Sequence, residues 1–344
     1  MNIRKTIATM ALTGAAALSQ LFAQDPLVGE YAGRITAPKG EFDGNPEICF
    51  RVHKEGDTYK IDIQRDLWRR AAYYTRFDAK AKDGKIEFEN GWRKIKGVIT
   101  PEGVKGTLWD RYDDQDHMFE FDLKKLDRKS PTLGMKPPKG AVVLFDGTSL
   151  DAWKAGNGKP IAWKINRKEK FVQAAKDSEG RGSDIMTKRR FKDCRLHIEF
   201  RNPDQSNKGG MGQHRGNSGV FFGRFEVQVL DSFGSEGGWD ECGALYKFMP
   251  PQVNASLPPE VWQTYDIEFI GAKDKNGKLD KYPRITVKHN GMTIHNDVEI
   301  TEGTEWLSKN RWLKNLREGE FEIKLQFHGD PVSFRNIWLE EIKD

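Results

Sequence analysis

Cysteine is scarce in this chain, three residues in 344, and they stand far apart at Cys49, Cys194 and Cys242. An odd number with no CxxC pair and no Cys/His cluster argues against a disulfide framework and against zinc. Cys194 and Cys242 either pair in an oxidising compartment or stay as buried thiols, and spacing does not choose between them. Net charge is also small, +5 from 56 basic and 51 acidic residues. So mild a balance points to no nucleic acid and no anionic membrane. No segment after residue 23 is apolar enough to span a bilayer, and none sustains a long amphipathic helical period. The chain also lacks a P-loop, a dinucleotide fingerprint and a G-x-S-x-G elbow.

What is present begins with a leader. Arg4 and Lys5 precede an apolar run from Ile7 to Phe22 that ends in Ala23. A run this short and rich in small residues reads as a signal peptide over residues 1–23 rather than an anchor, and no cysteine follows it for lipid attachment. The mature protein is therefore expected to be exported, periplasmic or extracellular, with no transmembrane segment once the leader is removed.

Residues 25–127 run through short alternating segments such as "EICFRVHK", "TYKIDIQRD" and "HMFEFDLKKL", separated by "KEGD", "KDGK" and "TPEG". This predicts a small antiparallel β domain, a meander closing into a sandwich or barrel. Its Trp68, Trp92 and Trp109 are expected in the core. "DRYDDQDH", residues 110 to 117, is acidic but lacks the spacing and turn glycine of a calcium loop. "DRKSPTLGMKPPKG", with three prolines, supplies a linker over residues 128–140. Residues 141–344 are again mostly strands, among them 195 to 201, 220 to 230, 262 to 269, 284 to 288, 293 to 295 and 321 to 328. Asn290-Gly291 has the chemistry of a type I′ hairpin turn. The fold class is all-β, a jelly-roll β-sandwich preceded by the smaller domain.

Side chains alternate across a strand. Opposite apolar faces, the strands offer Arg195, His197, Glu199 and Arg201; then Arg224, Glu226 and Gln228; then Glu322, Lys324, Gln326 and His328. Either these rows face water, as one side of an antiparallel sheet commonly does, or neighbouring strands make a polar floor for a carbohydrate. The five glycines of "NKGGMGQHRGNSG" carry His214, Asn217 and Ser218 to the rim, and Trp239 beyond Asp231 is either a stacking ring or core.

A conventional glycosidase needs two carboxyl groups. "E-V-Q-V-L-D", Glu226 to Asp231, resembles the E-x-D-x-x-E strand of jelly-roll glucanases only loosely, because Gln228 cannot ionise.

A set of segments carries a closer likeness: "LFDGTSLDAWK" at 144 to 154, "HIEFR" at 197 to 201, "NSGVFF" at 217 to 222, "FEVQVLDSFG" at 225 to 234, "CGALY" at 242 to 246, "PQVNASLPPEVWQTYDIEF" at 251 to 269, "ITVKHNGMTIHND" at 285 to 297 and "LQFHGDPVSFRNIWL" at 325 to 339. Together they resemble the 3-keto-disaccharide hydrolase domain family, with its concanavalin-like jelly roll. The resemblance implies hydrolysis of a small carbohydrate, a 3-keto-glycoside or 3-keto-disaccharide. That chemistry needs one base, an enolate stabiliser and a proton donor. Glu226 and Glu199 are then candidate bases, His328 a candidate acid/base, and Arg201 or Arg224 candidate enolate stabilisers. Gln228, Asp231, Asn217 and His197 would hold substrate, and a divalent metal on Glu, Asp and His is an alternative electrophile. Each Glu–Arg pair has a competing structural role as a cross-strand ion pair. A non-catalytic lectin-like protein on the same fold is the competing function.

Overall fold

A computed structural model describes residues 25–36, 45–92, 94–109, 118–276, 278–304 and 320–343. The leader and the acidic stretch at 110 to 117 lie outside the described residues. The chain is all-β; among the described residues the one helical turn is the 3-10 segment Ser206–Lys208. No helix there is long and apolar enough to cross a membrane.

The strands between Gly29–Thr36 and Met118–Lys125 form one eight-stranded antiparallel sheet. The first strand pairs with both Glu47–Glu55 and Met118–Lys125, which places it in the middle of the order. The sheet curls until its two edge strands, Tyr73–Ala79 and Ile86–Asn90, meet through side chains. Asn90 Nδ2 donates to Thr75 Oγ1 at 3.5 Å, and the Phe77 and Phe88 rings lie 5.4 Å apart. Tyr31, Phe50, Ile61, Ile99 and Leu123 fill the interior.

Residues 142 to 341 build a β-sandwich. One sheet is five-stranded and contains, in neighbouring order, Ile185–Thr187, Ile323–Leu325, Ser218–Phe222 and Phe225–Val229; the other centres on Cys194–Arg201 between Ser333–Glu341 and Gln263–Ile270. Between them lies a core that includes Ile198, Phe200, Tyr265 and Phe269 from one side and Val220, Phe222, Val227, Ile323 and Leu325 from the other. The stretch 220 to 230, expected as one strand, is broken by a two-residue turn. Gly223 takes φ +61° and Phe222 pairs with Phe225, so a hairpin replaces the long strand. Asn290 and Gly291 take φ +50° and +80°, as a type I′ turn requires. The three cysteines are buried free thiols, and Cys242 Sγ lies 3.2 Å from Tyr265 Oη.

The proline-rich stretch at 128 to 140 is a strap across the outer face of the large sheet. Ser130 and Thr132 hydrogen-bond Thr264, and Thr132 Oγ1 donates to Asp266 at 2.7 Å. The N-terminal sheet is seated on the sandwich. Arg51 joins Glu30 at 2.9 Å and donates to Asn254 O at 2.9 Å, Tyr73 Oη donates to Gly234 O at 3.0 Å, and Gly56 N donates to Ser206 O at 2.9 Å.

Candidate active site

The polar rows read from the sequence fall on two different sheets, so they do not make one floor. His197, Glu199 and Arg201 belong to the large sheet, on the side turned away from the core. The strap closes over the first two. Glu199 accepts from Gly134 N at 2.6 Å, Arg335 Nε at 2.6 Å and Asn336 Nδ2 at 2.9 Å, with His197 Nε2 at 3.6 Å. Burial alone would raise its pKa, but these donors bring it down to about 2. His197 stacks on Trp338 and shares a 2.6 Å bond with Asp266. Burial opposes its charge, yet the bonds to Asp266 and Glu199 raise its pKa. Arg201 lies over the Phe171 and Trp262 rings, 3.6 Å from Glu260. A groove of about 370 Å³ lined by His197, Asp266, Lys288 and Trp338 adjoins this network. Its buried acid and imidazole are already satisfied by protein, the mark of a structural lock.

The five-stranded sheet presents a different surface. Phe221 stands opposite Glu226 on one neighbour and opposite Lys324 on the other. Gly219, two residues earlier on the same face, stands opposite Gln228, and its carbonyl accepts from Gln326 N at 3.0 Å. A methyl group at Gly219 would lie 2.4 Å from Glu226 Oε1 and 2.8 Å from the Phe221 ring. The room left by the missing side chain, the hollow over Gly219, is taken up by the Glu226 carboxylate, and Gly219, Phe221, Glu226 and Gln228 are all buried. Lys324 Nζ sits 3.6 Å above the centre of the Phe221 ring and 3.5 Å from Asp184.

Two acceptors border the hollow: the buried Oε1 atoms of Gln228 and Gln326 have no hydrogen-bond partner among the described residues. The orientation of Gln228 has a cause. Its Nε2 faces Gln213 Oε1 and Asp240 O, each at 3.4 Å, and Gln213 is itself held by Asn217 Nδ2 at 3.0 Å and by its own bond to Asp240 O at 2.7 Å. The glycine-rich loop thus aims the free carbonyl of Gln228 by occupying its amide nitrogen.

Asn217 acts behind Gln213, and its backbone N–H donates to Asp330 at 2.9 Å. Asp231 is buried in a 2.7 Å ion pair with Arg215. Arg224 lies in the hairpin turn, exposed, with its carbonyl accepting from Thr304. His328 is exposed beyond the strand, which spans only Ile323–Leu325. His214 is exposed as well. Of the proposed set, Glu226 and Gln228 alone line the hollow, while Lys324 and Gln326 were read only as members of a polar row and Gln213 was given no role. Trp239, Trp68 and Trp92 are surface residues, 57%, 60% and 74% exposed, where two of the three were expected in the core. Among the described residues no three His, Cys, Asp or Glu side chains converge as metal ligands.

Residues 140–340 match the family model described as the 3-keto-alpha-glucoside-1,2-lyase-like domain. The chain belongs to that family. Every group lining the hollow falls within the match, and the N-terminal sheet falls outside it. Among solved structures, a Parabacteroides distasonis protein of inferred glycosyl hydrolase activity is 33% identical, covering 60% of this chain and 86% of its own, with a TM-score of 0.51. A second from the same organism, also an inferred glycosyl hydrolase, is 18% identical, covering 59% of this chain and 95% of its own, with a TM-score of 0.43. No curated protein matches the chain.

Proposed function

We propose that this chain is an exported hydrolase that cleaves 3-keto-glycosides by elimination and hydration in the hollow over Gly219. The observation that carries the reading is the composition of that hollow. Glu226 and Lys324 flank its floor, and the Gln228 and Gln326 carbonyls stand ready to accept from sugar hydroxyls. Family membership and the 33%-identical relative support glycoside cleavage in general.

A ketone at C3 acidifies the hydrogen on C2. Glu226 removes that proton, and the bonding pair passes into an enolate whose oxygen is stabilised by the Lys324 ammonium. As the ketone re-forms, the C1–O bond breaks and the departing alkoxide takes the proton held by Glu226. Water then adds across the C1–C2 double bond, hydroxide to C1 and a proton to C2, with Glu226 again relaying the proton. One water is consumed, one glycosidic bond is broken and no oxidant is needed. A conventional glycosidase would place a second carboxyl within roughly 5–10 Å of the first; Glu199, the other candidate, belongs to the opposite sheet, and the Asp184 carboxylate beside the hollow is 3.5 Å from the Lys324 ammonium. Export rests on the leader at residues 1–23, ahead of the described residues.

The test is incubation of the purified protein with a 3-keto-disaccharide and its unoxidised parent, with product followed by mass spectrometry. Cleavage confined to the keto sugar supports the reading. Equal cleavage of both would replace it with ordinary glycoside hydrolysis, and binding without cleavage would replace it with a lectin-like role.

A further inference from the structure

The N-terminal sheet grips the loop that aims Gln228. Glu55, at the end of Glu47–Glu55, accepts from the Gly210 backbone N–H, and a methyl group on Gly210 would lie 4.0 Å from Glu55 Oε1. The next residue adds a second tie, Gly56 N donating to Ser206 O at 2.9 Å. Behind them, Lys60 meets Glu55 at 2.9 Å and Asp78 at 2.8 Å, and Lys60 and Asp78 are paired across neighbouring strands. The carboxylate that reaches the loop is thus itself fixed by the sheet.

The Gly210 peptide is held from the sandwich as well. Its carbonyl accepts from Arg215 Nη1 at 3.3 Å, and Arg215 Nη2 donates to the buried Asp231 at 2.7 Å. The Arg215 charge is also felt by Glu55 and His53 on the sheet. One series of contacts therefore runs from Lys60 through Glu55, Gly210 and Arg215 to Asp231, and Gln213 lies in the span between Gly210 and Arg215. That span has little conformation of its own. Gly210 and Gly212 take φ +63° and +95°, which glycine reaches at no steric cost but does not prefer. Outside contacts must set it. The sandwich ties it on either side through one carboxylate, Asp330, which accepts from Lys208 Nζ at 2.5 Å and Asn217 N at 2.9 Å. Glu55 holds the stretch between those ties.

Resting on the reading of the hollow as the keto-sugar site, we propose that Glu55 is a positioning residue for that site. By holding Gly210 it sets the loop conformation in which Gln213 occupies the Gln228 amide, leaving the Gln228 carbonyl to a substrate hydroxyl. The N-terminal sheet, outside the family match at 140–340, then supports substrate binding without touching substrate. Loss of the acceptor releases Gly210 and Gln213 and lets the Gln228 amide turn. What is lost is one hydrogen bond to the sugar, not a step of the chemistry, so the effect belongs in KM.

Steady-state kinetics of the full chain on a 3-keto-disaccharide test this. Glu55→Ala is expected to raise KM about fivefold with kcat changed less than about twofold. Glu55→Gln, which keeps a carbonyl for the Gly210 N–H, should bring KM back to the wild-type value. In a Gln228→Ala background, Glu55→Ala should add nothing further. An unchanged KM in Glu55→Ala, a Glu55→Gln protein as impaired as Glu55→Ala, or an effect that persists without Gln228 would each overturn the assignment, the last by marking Glu55 as structural only. Hydrogen exchange over residues 207 to 217 reads the brace without substrate, and Glu55→Ala should speed it about fivefold. Faster exchange in a protein whose wild type does not cleave the keto sugar upholds the brace and removes the reaction. Unchanged exchange removes the brace, with or without turnover.

Discussion

Glu226 and Lys324 stand opposite the same residue, Phe221, on its two neighbouring strands, so a carboxylate and an ammonium flank one aromatic ring on the outer face of the five-stranded sheet. With strands about 4.8 Å apart, their Cα atoms are roughly 10 Å apart, and the Lys324 ammonium sits over the Phe221 ring between them. Replacing Glu226 with Gln preserves shape and removes the base. Turnover of a 3-keto-glycoside should fall at least 100-fold with KM little changed, whereas Lys324→Met should lower kcat and leave the melting temperature unaltered. Steady-state kinetics check both, and wild-type kcat in Glu226→Gln would exclude Glu226 as the base.

Gly219 should tolerate no side chain without loss of function. The added methyl of Gly219→Ala would meet Glu226 Oε1 at 2.4 Å, and the flexible carboxylate would swing away rather than the backbone yield. A folded protein with kcat reduced about tenfold or more is expected. A fully active Gly219→Ala enzyme would place the reacting sugar elsewhere.

Glu199 should matter for stability and not for turnover. Its ordinary pKa of 4.5 drops to about 2 in the folded chain, so its contribution is fully present above pH 4.5 and is lost as pH falls towards 2. His197 has the opposite sign: its pKa is raised above 6.5, so its contribution is present below pH 6.5 and fades as pH rises through the raised value. Glu199→Gln, which strands Arg335, should cost about 2–4 kcal/mol near pH 5.5. The gap in melting temperature from wild type should then narrow between pH 5 and pH 2.5. A gap independent of pH would show that the carboxylate charge is not what holds the strap.

The alternation in "RLHIEFR" and "FEVQVL" is a local property, and from it the all-β class and the inward face of each strand could be read. Sheet membership is not local. His197 and Glu199 carry the same pattern as Glu226 and Gln228, yet Glu199 pairs across to Thr264 and Arg335 while Glu226 pairs to Phe221. That choice is made by packing between residues more than 60 positions apart in the first case. The three prolines of the strap looked like a spacer because the partners of Ser130 and Thr132 lie at Thr264 and Asp266. Lys324 was visible in its row, but only the register to Phe221 distinguishes it from a solvated lysine.

The seam between the N-terminal sheet and the sandwich should be sensitive at Gly234. It takes φ +91°, and a methyl group there would lie 2.4 Å from His53 Nδ1 and 2.9 Å from Asp62 Oδ2. Both side chains are buried, and burial holds His53 neutral with its pKa down to about 3. Gly234→Ala should destabilise the protein by about 1–3 kcal/mol, with earlier proteolysis between residues 125 and 142. Unchanged melting and cleavage would mean the contact does not hold the two parts together.

The central claim is that the C2–H bond breaks before the glycosidic bond is replaced by hydroxyl. Turnover of a 3-keto-disaccharide in heavy water, with early product read by mass spectrometry and proton NMR against a product-only control, tests it most directly. The account predicts one deuterium at C2 of the released keto sugar, formed at the rate of cleavage and absent with Glu226→Gln. Cleavage at full rate with hydrogen retained at C2 would contradict it and point to direct displacement at C1.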